Sequence, residues 1–136
     1  IMLDKCFTFN IESFDDDRGS LAVLERHKNI PFDIERIYYL YKTQDKIVRG
    51  VHAHKKLEQI IISFSGEYQI LLDDGINKAT FILDSPSLGL YVCPMIWREV
   101  TPIGDNGVCA VLASRKYEED DYIHEYSDFL ELVESK

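Results

Sequence analysis

Short runs rich in Ile, Val, Tyr and Phe, separated by turn residues, alternate along most of this chain. Residues 5–10, 21–25, 34–41, 48–54, 59–64, 68–72, 80–83, 89–92, 96–100 and 108–114 read as strands, because β-branched and aromatic side chains suit a pleated, half-buried surface. Asp73-Asp74-Gly75, between the runs at 68–72 and 80–83, predicts a hairpin. Asp84-Ser85-Pro86 ends the second of those strands, since proline donates nothing to a ladder. Gly104-Asp105-Asn106-Gly107 reads as a further loop. Helical spacing is confined to the tail, residues 120–135, where Tyr122, Ile123, Tyr126, Phe129, Leu130 and Val133 recur at three and four. Many short strands without alternating helices predict a sandwich or barrel rather than a doubly wound sheet. A jelly roll with a C-terminal helix, one domain over residues 1–136, fits the length.

Composition narrows the class. With 46% hydrophobic and 12% aromatic residues, the chain has the means to build a core and is not disordered. A net charge of −9 argues against nucleic-acid binding, which needs a basic footprint. It leaves room for a phosphate ligand, because Arg18, Arg49, Lys55, Lys56 and Arg98 are cations that a fold can gather. No apolar run is long enough for a membrane span, and no basic segment followed by a hydrophobic one opens the chain. A cytoplasmic location is the expectation. Cys6, Cys93 and Cys109 are odd in number and widely spaced, which predicts small buried hydrophobes rather than a metal set. The run Glu118-Glu119-Asp120-Asp121 reads as a solvated segment before the helix, and His27 and His124 as surface residues.

The densest chemistry lies in Arg49-Gly50-Val51-His52-Ala53-His54-Lys55-Lys56, followed by Glu58-Gln59. Strand side chains alternate, so His52 and His54 share a face. Three roles are open to the pair: hydrogen bonding within a barrel, metal ligation with Glu58 downstream, or proton transfer near neutral pH. Tyr38 and Tyr39 face opposite sides of their strand, and apolar residues on both faces leave the inward one undecided.

Gly50, His52-x-His54, Glu58 and Gly66, then Gly89, Pro94 and Trp97-Arg98, resemble the two motifs of the cupin superfamily. Metal-binding cupins carry another histidine near the position of Arg98, and a guanidinium ligates no cation. The resemblance therefore implies a site without metal. Asp17-Arg18-Gly19 and Arg49-Gly50-Val51-His52 resemble the dTDP-sugar 3,5-epimerases, but His54 and Gln59 depart from their pattern, a catalytic lysine being expected near Gln59. The chain is more similar to the dTDP-4-keto-6-deoxyhexose 3,4-ketoisomerases. That likeness rests on Asp17-Arg18-Gly19-Ser20-Leu21, Asn29-Ile30-Pro31-Phe32, Arg36-Ile37-Tyr38-Tyr39, the segment from Arg49 to Gln59, Leu72-Asp73-Asp74-Gly75, Leu83-Asp84-Ser85-Pro86 and Gly89-Leu90-Tyr91-Val92. Some members have Trp-His-Glu where this chain has Trp97-Arg98-Glu99.

The resemblance implies an all-β cupin jelly roll (double-stranded β-helix) that needs neither metal nor redox cofactor. His52, His54 and Tyr38 are implied as the proton-transfer groups. Arg18, Arg49, Lys55, Gln59, Trp97 and Arg98 are expected to bind a dTDP-linked keto sugar. It further implies a homodimer with exchanged N-terminal strands, and a 3-keto product destined for a 3-amino sugar of a surface glycan. The alternatives are a 3,5-epimerase-like enzyme and a non-catalytic cupin that binds a sugar nucleotide.

Overall fold

The computed structural model describes residues 1–135. The expected all-β jelly roll with a C-terminal helix is the fold that forms. Its strands are β1 (Phe7–Asn10), β2 (Glu12–Asp16), β3 (Gly19–Val23), β4 (Arg36–Leu40), β5 (Arg49–His54), β6 (Gln59–Asp73), β7 (Lys78–Leu83), β8 (Leu88–Val92), β9 (Trp97–Ala113) and β10 (Tyr122–Ile123), and α1 is Tyr126–Glu134. Every strand pairing is antiparallel.

Two long strands build the frame. The start of β6 pairs with β8 and with the end of β9, which also carries β4, while β1 adds outside β8. The end of β6 pairs with β7 and with the start of β9, which also carries β5, while β10 adds outside β5. Each long strand thus passes from one sheet to the other, and the two sheets face each other across the core. Residues 59–64 and 68–72, expected as separate strands, are one strand interrupted by register shifts between Ser63 and Glu67. Gly66 sits there with φ +83, and an added Cβ would lie 3.1 Å from the Gly107 backbone. The expected loop at 104–107 likewise lies within β9, opposite this bulge.

Burial follows from the pattern. Ile60, Ile61 and Ile62 are consecutive and all buried. Ile61 joins the central cluster with Tyr68, Ile70, Leu90 and Val111, whereas Ile60 and Ile62 join Ile11, Ile30, Phe32 and Leu112 on the opposite face. A strand covered on both sides requires such an unbroken apolar run, and each isoleucine contributes roughly 1.5–3 kcal/mol by leaving water. The three cysteines are free and buried, as expected. The hairpin at Asp73-Asp74-Gly75 forms, its N–H groups of Gly75, Ile76 and Asn77 taken by the two aspartates.

The tail departs from the periodic reading. Helix α1 begins only at Tyr126, and Glu119–Asp121 is a single 3-10 turn leading into β10. Pairing of Tyr122 and Ile123 with His54 and Ala53 overrides the local helical spacing. A third cluster, Ala53, Met95, Trp97, Ile123 and Phe129, seats α1 against the sheet. The chain's β2–β3 hairpin stands apart as its own two-stranded sheet.

Candidate active site

Strand β4 runs along one sheet and β5 along the other, and both bond to β9. Inward residues of β4, β5, β6 and β9 therefore converge. Tyr38, Leu40, Gly50, His52, Gln59, Ile61, Arg98, Val100, Cys109 and Val111 line a cavity of about 50 Å³ between the sheets. Its apolar walls surround four groups that carry chemistry: a phenol, an imidazole, an amide and a guanidinium.

Gly50 makes the placement of the histidines possible. Arg49 pairs with Val100 and His52 with Arg98, so three steps on β5 match two on β9. The extra residue is absorbed by Gly50 at φ +61, a conformation costly to residues with a Cβ. His52 and His54 then point to one face, their ring centroids 4.8 Å apart at 90°. Tyr122 packs on both rings, 5.1 Å from His52 and 4.3 Å from His54.

Arg98 is buried, with 2% of its surface exposed. Its guanidinium donates to Gln59 Oε1 and to the Ile96 carbonyl, the latter at 2.9 Å. No carboxylate among the described residues forms a salt bridge with it. Gln59 passes the contact on by donating from Nε2 to the Tyr38 hydroxyl at 2.9 Å. Tyr38 is thus the inward tyrosine, while Tyr39 is 60% exposed on the outer face. Burial raises the Tyr38 pKa, and Arg98 opposes that rise.

The same environment keeps the imidazoles neutral. Burial, followed by the positive charge of Arg98, lowers the His52 pKa to about 3. Burial and then Arg98 also lower His54. The Nε2 atoms of His52 and His54 and the Nε atoms of Arg36 and Arg98 are buried without a hydrogen-bond partner among the described residues. Four unsatisfied polar atoms in one region mark a place built to meet a polar ligand.

The other expected ligand residues are distributed differently. Trp97 faces away from the cavity, because adjacent strand residues alternate and Arg98 takes the inward position. The indole packs on Tyr126 and Phe129 beneath α1, and Nε1 donates to Glu99. Lys55 lies on an exposed groove with Tyr122 and His124. Arg49 is exposed at the start of β5, next to the cavity residue Gly50. Arg18 stands at the tip of the β2–β3 hairpin, its side chain 90% exposed and paired with Asp16 at 2.7 Å. Within one chain it does not approach the cavity lining.

Glu58, the acidic partner in the metal reading, accepts instead from the Tyr91 hydroxyl at 2.6 Å. No group of three His, Cys, Asp or Glu that could hold a metal ion occurs among the described residues. Two neighbours escaped the sequence reading. Arg36 lies over the Tyr38 ring at 5.2 Å, and its spacing of two from Tyr38 was a usable sign of a shared face. Asp121 bonds to His54, a contact between residues 67 apart in sequence that no local pattern announces.

Residues 4–134 match the family model described as FdtA: WxcM-like, C-terminal. Over 124 residues, 91% of this chain and 89% of the relative, the chain is 44% identical to a TDP-4-oxo-6-deoxy-alpha-D-glucose-3,4-oxoisomerase of Aneurinibacillus thermoaerophilus. A 3,4-ketoisomerase from Helicobacter canadensis superimposes with a TM-score of 0.92 at 43% identity, covering 95% of this chain and 97% of that one. QdtA, a sugar 3,4-ketoisomerase from Thermoanaerobacterium thermosaccharolyticum solved in complex with TDP, gives 0.93 at 36% identity over 98% of both chains.

Proposed function

We propose that this chain, which belongs to the FdtA (WxcM-like, C-terminal) family, is an intramolecular oxidoreductase-type isomerase that moves the carbonyl of a dTDP-4-keto-6-deoxyhexose from C4 to C3. The observation that carries the reading is the convergence of neutral His52, Tyr38 and a buried, carboxylate-free Arg98 on one cavity. The names of the relatives above support the substrate class.

A hydrogen beside a carbonyl is weakly acidic, so the reaction needs a base and a stabilised enediolate. In this reading His52 removes the C3 proton, and the electron pair becomes the C3–C4 double bond as O4 gains negative charge. The Arg98 guanidinium is fixed in advance near that charge by Gln59 and Ile96. Tyr38 protonates O4, O3–H gives up its proton to His54, and His52 returns its proton to C4. The carbonyl and hydroxyl have then exchanged places with no net oxidation. Arg49, at the edge of the cavity, contacts the diphosphate.

Arg18 fits this scheme through a second copy of the chain. Among the described residues the β2–β3 hairpin pairs with no other strand, and its Phe14 and Leu21 are each 58% exposed. An unpaired apolar hairpin is stabilised by joining another sheet, and in an exchanged homodimer it carries Arg18 to the partner's site. The 3-keto product is a substrate for an aminotransferase supplying a 3-amino sugar for a surface glycan.

Gln59, bonded to Tyr38 and Arg98, favours this reading over 3,5-epimerisation, which in the resemblance uses a lysine there. The test is NMR of dTDP-4-keto-6-deoxyglucose incubated with the protein in deuterated buffer. Carbonyl migration to C3 is expected, with deuterium at C4 to the extent that the His52 imidazolium exchanges its proton with solvent before returning it, and His52→Asn should slow the migration ~100-fold or more. Exchange at C5 without migration would establish the epimerase, and binding without any exchange a non-catalytic module.

A further inference from the structure

The acidic run before α1 reads as solvated, yet its last residue, Asp121, is only 8% exposed. Its Oδ2 lies 3.2 Å from Nδ1 of His54, whose side chain is fully buried. The same carboxylate accepts the backbone N–H of Lys56 at 2.8 Å and of Leu57 at 3.3 Å. Its main chain is tied as well: the carbonyl accepts from Lys55 N–H and the N–H donates to Glu118, each at 3.0 Å. Fixed by these bonds, the carboxylate has little freedom to turn.

This arrangement assigns a hydrogen. An ionised carboxylate only accepts, so Nδ1 of His54 carries the proton, and Nε2, buried without a partner among the described residues, holds the lone pair. Around it stand His52 on β5, Arg98 on β9, Arg36 on β4, and Tyr122 and His124 from the segment before α1. All three charged or basic neighbours named in the strands disfavour a further positive charge at His54. Asp121 is the negative charge bonded to it.

We propose that Asp121 is a positioning residue for proton transfer: it holds His54 as the Nδ1–H tautomer and offsets the imidazolium formed when Nε2 takes a proton. The proposal rests on the ketoisomerase reading and deepens it by giving the relay a direction. Resting His54 is an acceptor, so it takes the proton from O3–H, while Tyr38 supplies the one that goes to O4. Afterwards the imidazolium returns its proton through solvent to the tyrosinate, and both groups regain their starting forms.

Asp121→Asn separates position from packing. The amide oxygen in the Oδ1 position still accepts from the backbone of Lys56, while the amide nitrogen in the Oδ2 position gives up the longer Leu57 contact, donates to Nδ1 of His54 and drives the hydrogen to Nε2. Nitrogen-15 NMR of the histidine rings should show Nδ1–H in the parent and Nε2–H in the variant. Carbonyl migration should fall ~100-fold or more in kcat, the scale of a mispositioned acid–base group, with KM changed less than about threefold. Asp121→Glu, which keeps the charge, should recover part of the rate. An Nε2–H tautomer in the parent would overturn the proposal, as would a folded Asp121→Asn variant with kcat within a few-fold of the parent. A parent that moves no carbonyl would overturn the ketoisomerase reading itself, while the two NMR spectra would still decide the pairing of Asp121 with His54.

Discussion

Mild acid should destabilise this protein well above the pH at which its carboxylates titrate. Unfolding returns His52 and His54 to water, where an imidazole has a pKa of 6.5, against about 3 for folded His52 and a lowered value for His54. Below 6.5 the unfolded chain therefore binds protons that the folded chain refuses. Stability is fully present above pH 6.5 and is lost as pH falls toward the folded values. Between pH 7 and 5 the linkage amounts to about 2 kcal/mol per fully buried histidine, somewhat less for half-buried His52, and hence about 3–4 kcal/mol for the pair. That is a large part of a typical 5–15 kcal/mol. The lowered carboxylates Asp16, Asp74, Glu118 and Glu119 start from ordinary values of 3.8 and 4.5, so they contribute mostly below this window. Urea unfolding at pH 7, 6 and 5 gives the answer directly, provided the slope m stays constant. His52→Gln should roughly halve the loss. A change under about 1 kcal/mol in the parent between pH 7 and 5 would refute the burial and charge argument for both imidazoles.

The same lowering should keep kcat/KM flat from pH 8 to about 5.5, because the free enzyme's base stays unprotonated; a fall with midpoint near 6.5 would mean that His52 is not that base. Arg98→Met should cost ~100–1,000-fold in kcat by removing fixed charge beside the developing oxyanion. Its folding free energy should change by less than about 2 kcal/mol, since the cost of burying an unpaired charge is relieved as Gln59 and Ile96 lose a donor; unchanged turnover would remove Arg98 from the mechanism. Gly50→Ala should lose about 1–2 kcal/mol from its left-handed backbone alone, because the new Cβ meets Val100 only at an ordinary 3.6 Å; an unchanged melting temperature would dismiss the bulge as a constraint. Dialysis against a strong chelator should leave carbonyl migration unchanged, and loss restored by one divalent ion would overturn the reading of Arg98 as the site's cation.

The β-rich class, the Asp-Asp-Gly hairpin and the shared face of His52 and His54 were legible because each depends on local turn chemistry or on period two. Strand β2 was not: all five of its residues are exposed, so it carries no alternation of buried and solvated positions to read. The two long strands looked like four, because Ser65-Gly66-Glu67 and Gly104-Asp105-Asn106-Gly107 have the composition of turns while the structure uses them as facing irregularities in one ladder. Trp97, expected among the binding residues, packs beneath α1 instead: it adjoins Arg98, and side chains of adjacent strand residues point to opposite faces. Asp121 shows the opposite failure. Three of its neighbours in the acidic run are exposed, and only the pairing of β10 with β5, a tertiary event, carries the fourth carboxylate to His54.

His-x-His with a glutamate four residues on is a metal pattern in sequence, and the fold dismantles it one residue at a time. Glu58 is engaged by Tyr91, His54 by Asp121, and the strand position facing His52 is held by Arg98. What replaces a metal's charge is a guanidinium that forms no salt bridge with a carboxylate among the described residues, buried where water screens it little. Such a charge destabilises the empty fold and lowers the pKa of both imidazoles, which keeps them unprotonated at neutral pH. It becomes favourable only when negative charge develops beside it. Under the proposed chemistry that moment is the enediolate, so one residue keeps the bases neutral in the resting site and stabilises the intermediate they create. The two effects have one origin and should be lost together: Arg98→Met should raise the His52 pKa, read by NMR titration, in the same variant that loses turnover. A variant with slow turnover but an unmoved His52 pKa would separate them and assign Arg98 to binding alone.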